Sequence, residues 1–347
     1  MQRIAYFVHS RGRGHAVRTR AVLDGLDEYE VQVFGAGDAL QVLRDRAHVE
    51  EVVAYEPGPR MARAFARRLV EDRRRLQKLR PDLVVSDGDG PSVHAAWSLG
   101  IPVLAVGHGL VFRHAHLPRG LSVGRRLREI INSGSSSWPA KRRVAVHFAP
   151  VTPSTEGTVV VRPDLDLRVC GARPREDFVL AYFRDDDGVE ALERIAMRGH
   201  RVVLFGTPSR APRGIEVRPP DFDAFRGALA RCCGVVGSAG NQLPAECAMT
   251  GIPMLALYRG RDAEHSLNAR LIETAGIGVS STFSRFGTLV VRRFEAELDR
   301  DRTALAARTR AMPPASEVVP RVVDDMCRPT RAPLTRPVRV EAAASAR

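Results

Sequence analysis

The chain has 347 residues, long for one domain and suited to two α/β domains, and its 44% apolar content supports a sizeable core. The formal charge of +13 invites a nucleic-acid reading. However, Lys78 and Lys141 are the only lysines, the arginines are scattered, and no aromatics interleave with them, so a stacking platform for nucleic acid is not expected. The basicity instead raises the local concentration of any anionic partner, whether a small anionic ligand or an anionic membrane surface.

Strand-like runs alternate with helical ones from the start. Strands are expected at 4–9, 31–34, 51–54, 83–86 and 103–106, with helices at 16–26, 61–79 and 91–99 among them. These strands are near-continuously apolar, as in a parallel sheet covered on both faces. The pattern breaks down from His108 to Ala149, a stretch holding His114, His116, Arg125, Arg126, Arg128 and the Ser-rich turn before Trp138. Long irregular stretches of this kind carry function or move. Strands resume at 158–161, 178–183, 202–205, 234–236 and 254–257, with helices at 189–198, 222–230, 244–249 and 266–275, and a last helix near 318–326. The expected division is an N-terminal α/β domain over 1–157, a second α/β domain over 158–312, a helix over 313–327 and a disordered tail over 328–347.

Five cysteines, with Cys232 and Cys233 adjacent and no CxxC, read as reduced thiols. No signal peptide precedes the first strand. No apolar run approaches the roughly 20 residues that span a bilayer. A cytoplasmic protein, soluble or at most peripheral on the inner face of the membrane, is the expectation. The helix over 61–79 adds to the second possibility. It sets Met61, Ala64, Phe65, Leu69, Leu76 and Leu79 in a stripe, with Arg63, Arg67, Arg68, Arg73, Arg74 and Arg75 on the other faces. Such a helix is either a solvated surface element or a basic face for anionic lipid.

Two glycine-rich turns carry the chemistry. The first, Gly12-Arg13-Gly14-His15, follows the first strand and opens a helix; Val17 takes the place of the third glycine of a dinucleotide fingerprint. His15 lies at the mouth of that helix, where the dipole favours the neutral ring and suits it to act as a general base. Arg18, one turn along, is placed to address phosphate or solvent. The second turn, Gly237-Ser238-Ala239-Gly240-Asn241, allows close backbone approach and offers Ser238 and Asn241 as donors. Glu246 follows near the start of the next helix, where its carboxylate could accept two ribose hydroxyls. Glu264 and His265 fall after a strand, at the carboxyl edge where open α/β sheets bind ligands. Asp87-Gly88-Asp89 mimics an Asp-x-Asp metal motif, but Asp87 is read as lining the cleft. Asp185-Asp186-Asp187 is read as helix capping.

These motifs resemble the GT-B glycosyltransferases, and most nearly the group that includes the peptidoglycan N-acetylglucosaminyl transferase and relatives opening with a GxGHxxR turn. The resemblance spans Gln2 to about Met326. It rests on residues 12–18, on Pro81-Asp82-Leu83-Val84-Val85-Ser86-Asp87, and on Gly237 through Asn268. It implies two Rossmann-like α/β domains facing a cleft, with a nucleotide-sugar donor, UDP-linked, on the C-terminal one. The implied donor set is Gly14, Arg18, Ser238, Gly240, Asn241, Glu246, Glu264, His265 and Asn268. His15 matches the active-site histidine, and Asp87 and His108 lie on the side that receives a small-molecule or lipid-linked acceptor. The base-contacting loop would fall near 218–222. Family members often carry Glu-Gln or Gln-Gln where this chain has Glu264-His265, so His265 bears on the identity of the sugar. No metal and no cofactor beyond the nucleotide-sugar co-substrate is implied. The reaction expected is inverting, metal-independent sugar transfer. A nucleotide-sugar hydrolase, an epimerase and a non-catalytic nucleotide-sugar-binding protein are the rivals.

Overall fold

A computed structural model describes residues 1–10, 13–54, 61–165, 175–183 and 186–328. In the first half of the chain the elements are β1 (Arg3–Val8), α1 (Arg13–Leu23), β2 (Glu30–Gly35), α2 (Asp38–Val42), β3 (Val49–Glu51), α3 (Met61–Leu79), β4 (Leu83–Asp87), α4 (Gly90–Ser98), β5 (Val103–Gly107), α5 (Val111–His114), β6 (Ala115–His116), α6 (Val123–Gly134), β7 (Arg142–Val146), β8 (Thr152–Pro153) and β9 (Thr158–Val161). Seven of the strands form one parallel sheet in the order β3-β2-β1-β4-β5-β7-β9, with Tyr6 opposite Val33 and Val85. The strands β6 and β8 make a short antiparallel pair beside it. Every residue of β4 and β5 is buried, as a sheet covered on both faces requires.

The second half holds β10 (Val179–Tyr182), α7 (Val189–Ala196), β11 (Val202–Phe205), β12 (Ile215–Arg218), α8 (Phe222–Leu229), β13 (Gly234–Ser238), α9 (Gln242–Thr250), β14 (Met254–Tyr258), α10 (Ala263–Thr274), β15 (Gly278–Thr282), α11 (Thr288–Leu298), α12 (Thr303–Ala311) and α13 (Ala315–Cys327). Its sheet is parallel too, in the order β12-β11-β10-β13-β14-β15. The last helix leaves this domain and returns to the first. Val318, Val319 and Val323 of α13 pack with Ile4, Tyr6, Val22 and Leu23. Gln2 Nε2 donates to the Cys327 carbonyl at 2.7 Å and the Tyr29 hydroxyl donates to Asp324. The chain thus crosses between domains twice, and the crossings lie side by side: Arg162 N donates to Pro313 O and Ala315 N to Arg162 O.

Several expectations are corrected here. Thr158–Val161 does not open the second domain, as the division at 157/158 assumed. It pairs with β7 as the edge strand of the first sheet, so the crossing lies after Val161. The segment 108–149 is not irregular throughout. It contains α5, α6 and the sheet strand β7, which arginines at 142 and 143 disguised. The strands β12 and β15 and the helices α11 and α12 add to the elements expected. Arg68 of α3 is not on an outer face. It is 1% exposed and its guanidinium bonds Asp72, Asp89 and the Val53 carbonyl. Burial pushes the Asp72 carboxyl up to about 6 even beside that charge. Arg67 and Arg75 of the same helix are also ion-paired. Asp186 and Asp187 do not cap α7, whose N-cap, Gly188, is a residue with no side chain. Asp186 accepts from Ser209 N and Asp187 pairs with Arg259. Arg11, Gly12, Cys170, Asp185 and the tail beyond Arg328 lie outside the described residues.

Candidate functional site

The carboxyl ends of the two sheets face one another. His9, Asp87, His108 and His147 stand at or just after the ends of β1, β4, β5 and β7, and Ser238 and Tyr258 end β13 and β14. Strand order in the first sheet reverses between β1 and β4, the kind of switch point where parallel sheets open a crevice.

On the first domain, His15 and Asp87 meet there. His15 Nδ1 lies 2.6 Å from Asp87 Oδ1, Arg18 Nε donates to Asp87 Oδ2 at 2.8 Å, and Arg18 Nη2 donates to Oδ1. Asp87 is fully buried. Burial alone would raise its carboxyl, but the Arg18 charge and the His15 bond outweigh that and hold it below the usual carboxylate range. An ionised carboxylate only accepts, so the His15 Nδ1 hydrogen points at Asp87 and the Nε2 lone pair is left for another proton. Arg18 Nη2 also lies 3.1 Å from Nδ1, but Nδ1, carrying the hydrogen turned to Asp87, has no lone pair with which to accept from it. Arg18 is therefore a buried partner of Asp87, 7% exposed, on the domain opposite the turn of residues 237–241. Gly88 makes this packing possible. Its φ is 73°, and a Cβ there would lie 2.7 Å from His15 Cε1. Asp89 turns away from Asp87: it caps α4 through Ser92 N at 3.1 Å and bonds Arg68. The two carboxylates of the Asp-x-Asp triplet are thus committed to different partners, and among the described residues no three metal-ligating side chains converge.

On the second domain the turn between β13 and α9 is built from small residues for two separate reasons. A Cβ on Gly237 would strike Leu243 and the Tyr182 carbonyl, whereas one on Gly240 would meet nothing within 4 Å. The first glycine is needed for packing and the second leaves open space above the turn. A Cβ on Gly14 would likewise enter open space. Asn241 holds the N-cap position of α9 without capping it; its Nδ2 reaches Val146 O of the first domain at 3.4 Å, and its buried Oδ1 has no partner. The first N–H groups of α9 therefore keep no side-chain acceptor and can serve an anion. Glu246 lies one turn in. Burial pushes its carboxyl up to about 7, against the opposing effects of a Gln242 bond and Arg226.

Asn268, fully buried on α10, ties this turn down: its Nδ2 donates to Ala239 O at 3.1 Å and Gly240 O at 3.3 Å. His265 is turned to its own helix cap, with Nδ1 3.4 Å from Asp262 Oδ2. Other groups meet or influence one another across the domain boundary. His108 Nε2 meets Asn268 Oδ1 at 2.9 Å. Arg125 of α6 donates to the Ser266 hydroxyl and, at 3.1 Å, to Gly260 O. Glu129 of α6, 8% exposed, is pushed up to about 7 by burial and by Glu264 and Asp262 across the boundary. Arg125 was visible in the sequence only as part of a basic irregular stretch, and nothing there singled out Glu129 or His147. The latter is fully buried at the end of β7, stacked on His108, with both ring nitrogens unbonded. Burial and the neighbouring His108 keep it neutral, with its pKa well below the ordinary histidine value.

No curated protein sequence matches the chain. Solved structures similar to it include MurG of Acinetobacter baumannii, at 16% identity and TM-score 0.66, covering 94% of this chain and 100% of that one. SsfS6 of Streptomyces sp. SF2575, a glycosyltransferase complexed with thymidine diphosphate, is 18% identical with TM-score 0.62, covering 94% and 100%. A co-structure of S. aureus MnaA with UDP is 14% identical with TM-score 0.64, covering 94% and 96%. At such identities the likeness establishes the two-domain GT-B fold. The sequence profile described as Glycosyl transferase family 1 matches residues 59–298, well over half of the chain. With the paired Rossmann-like domains and the cleft between their sheets, that match places the protein in glycosyl transferase family 1, as a glycosyltransferase of the GT-B fold.

Proposed function

We propose that the protein transfers a sugar from a nucleoside-diphosphate donor, UDP-linked in the first instance, to an acceptor hydroxyl, with inversion and without a metal ion. The observation that carries this reading is the His15–Asp87 pair facing an uncapped helix start across the cleft. The acceptor hydroxyl gives its proton to His15 Nε2 as its oxygen attacks the anomeric carbon. The bond to the diphosphate breaks on the opposite face, and the electron pair leaves with the nucleoside diphosphate. Asp87 balances the imidazolium that forms. The open N–H groups at the start of α9 and its dipole take up the charge growing on the diphosphate, a role that a metal fills elsewhere. The commitment of Asp87 and Asp89 to separate partners supports the metal-independent form.

Glu246 accepts the ribose hydroxyls in this reading, and Ser238, Gly240 and Asn241 meet the diphosphate. Glu264 and His265 lie where the sugar would rest. The solved relatives with thymidine diphosphate and UDP support the donor class. For the acceptor, α6 offers an exposed apolar strip of Val123, Leu127 and Ile131 with Arg128 beside it, and exposed Trp97 and Trp138 lie with ring centroids 6.2 Å apart. That surface favours an acceptor carrying an apolar or lipid portion, presented at an anionic membrane. Among the described residues no helix is long and apolar enough to cross a membrane.

The test is a thermal-shift and calorimetric series with UDP, dTDP and their sugar conjugates, followed by product analysis. A ligand at 100 times its Kd adds about 2.7 kcal/mol of apparent stability. Absence of any shift with either nucleotide would sink the donor assignment. Nucleoside diphosphate released at full rate without acceptor would make the protein a hydrolase, and interconverted sugar without release an epimerase.

A further inference from the structure

A polar link runs from the first domain to Asn268, the α10 residue that holds the donor turn. Asn268 is fully buried, and its amide nitrogen is committed to the carbonyls of Ala239 and Gly240. Its orientation is thereby set, and Oδ1 must accept. The donor it meets is Nε2 of His108 at 2.9 Å, 160 residues away in sequence and on the other domain. His108 is 8% exposed and fixed in turn by its surroundings: Nδ1 lies 3.0 Å from Val146 O, its ring stacks on His147, and Phe112 meets it edge-on. The same Val146 carbonyl receives Asn241 Nδ2 from the turn. Nε2 is thus taken by Asn268 and Nδ1 faces the Val146 carbonyl, so neither ring nitrogen is open to an acceptor hydroxyl.

We propose that His108 is a positioning residue for donor binding, acting through Asn268: its hydrogen bond across the domain boundary holds the Ala239–Gly240 turn in the shape that receives a nucleoside diphosphate. This rests on the donor reading above and extends it, because it makes a residue of the acceptor-side domain set donor affinity without touching the donor. If the bond is lost, the Asn268 oxygen is left buried and unpaired. The amide must then rotate or the domains part, and either change releases the two carbonyls that shape the turn.

The experiment compares His108→Phe and His108→Gln with the wild-type full-length chain, titrated calorimetrically with UDP and with dTDP. Phenylalanine keeps the ring packing but has no donor, whereas glutamine keeps a donor at the reach of Nε2. Net loss of one neutral hydrogen bond corresponds to a roughly 2- to 12-fold change in binding. His108→Phe should weaken binding by at least several-fold while the chain stays folded, with Tm lowered by no more than about 10 °C for the unpaired oxygen, and His108→Gln should restore most of both. If phenylalanine binds as wild type does, or if both variants lose affinity equally, the positioning role is wrong and His108 only fills space. Should His108→Phe unfold, His108→Gln together with Asn268→Asp decides the matter. Asn268→Asp keeps the oxygen facing His108 but removes the donors to the turn, and it must lose affinity while His108→Gln does not. Failure of the wild-type chain to bind either nucleotide would overturn the donor reading and this inference with it.

Discussion

Replacing Asp87 with asparagine should separate two roles that the structure joins in one carboxylate. Asp87 is fully buried and receives Arg18 through two nitrogens and His15 through one. Asparagine leaves the Arg18 guanidinium, itself 7% exposed, without a counter-charge. Removing one partner of a buried pair costs about 3–5 kcal/mol. At roughly 2–4 °C per kcal/mol for a domain of this size, Tm should fall by about 6–20 °C. The asparagine also no longer demands the Nδ1 hydrogen of His15, so the ring loses the tautomer that leaves Nε2 free to accept. His15→Ala isolates the second effect. The His15 side chain is 27% exposed and its loss leaves the Arg18–Asp87 pair intact, so Tm should barely move. Turnover should fall about 100- to 10,000-fold, the usual contribution of a positioned base. The assay is nucleoside diphosphate release under single-turnover conditions, using the nucleotide-sugar that shifts Tm most, alongside thermal denaturation. His15→Ala turning over within tenfold of wild type, or Asp87→Asn melting with wild type, would refute the dyad.

Three other expectations follow from particular groups. Glu246, pushed up to about 7 by burial, can accept ribose hydroxyls fully only when ionised. UDP affinity should therefore rise between pH 6 and pH 8 and then level, and Glu246→Gln should flatten that dependence; a wild-type Kd unchanged across this range removes Glu246 from the ribose site. Glu129 is raised to about 7 from 4.5, so the folded state holds a proton that the unfolded chain has lost between those values, and stability must fall as pH rises through that window. Glu129→Gln keeps the oxygen that accepts from Asn132 and removes the charge, so it should melt above wild type at pH 8 and alongside it at pH 4; equal melting at both would show that neither burial nor Glu264 penalises the Glu129 charge. Activity should survive EDTA, and a complete loss restored by magnesium or manganese would bring metal chemistry back to the cleft.

Much of the fold and some of the site can be read without coordinates, and the boundary between the two kinds of knowledge has a physical cause. Buried parallel strands such as β4 and β5 must be apolar throughout, so they stand out as runs. The glycine-rich runs ahead of α1 and α9 stand out as motifs, and at Gly237 the close packing tolerates only glycine, whereas a Cβ on Gly14 would enter open space. His15 is legible for the same reason, lying beside such a turn. Edge and crossover elements are not. β7, though it lies inside the sheet, begins with the exposed Arg142 and with Arg143, whose Nε donates to Ser137 O, and β9 looks like the start of a new domain because nothing local says which sheet it will join.

The chain's own chemistry determined two parallel-sheet halves, each with a glycine turn at a helix start, and thereby a cleft suited to an anionic ligand. Tertiary structure alone decided the partners. Arg18 was equally suited to phosphate or solvent by its place on α1; what committed it to Asp87, 69 residues further along the chain, was the juxtaposition of β1 and β4. Asn268 could bind a ligand by its position in α10, yet its amide is consumed by the turn and by His108 of the other domain. Glu129 and Glu264 acquire a shared environment only because α6 and α10 meet across the boundary. Periodicity and turn chemistry act over a few residues and are written locally, whereas desolvation and ion pairing depend on which distant groups arrive at the same place.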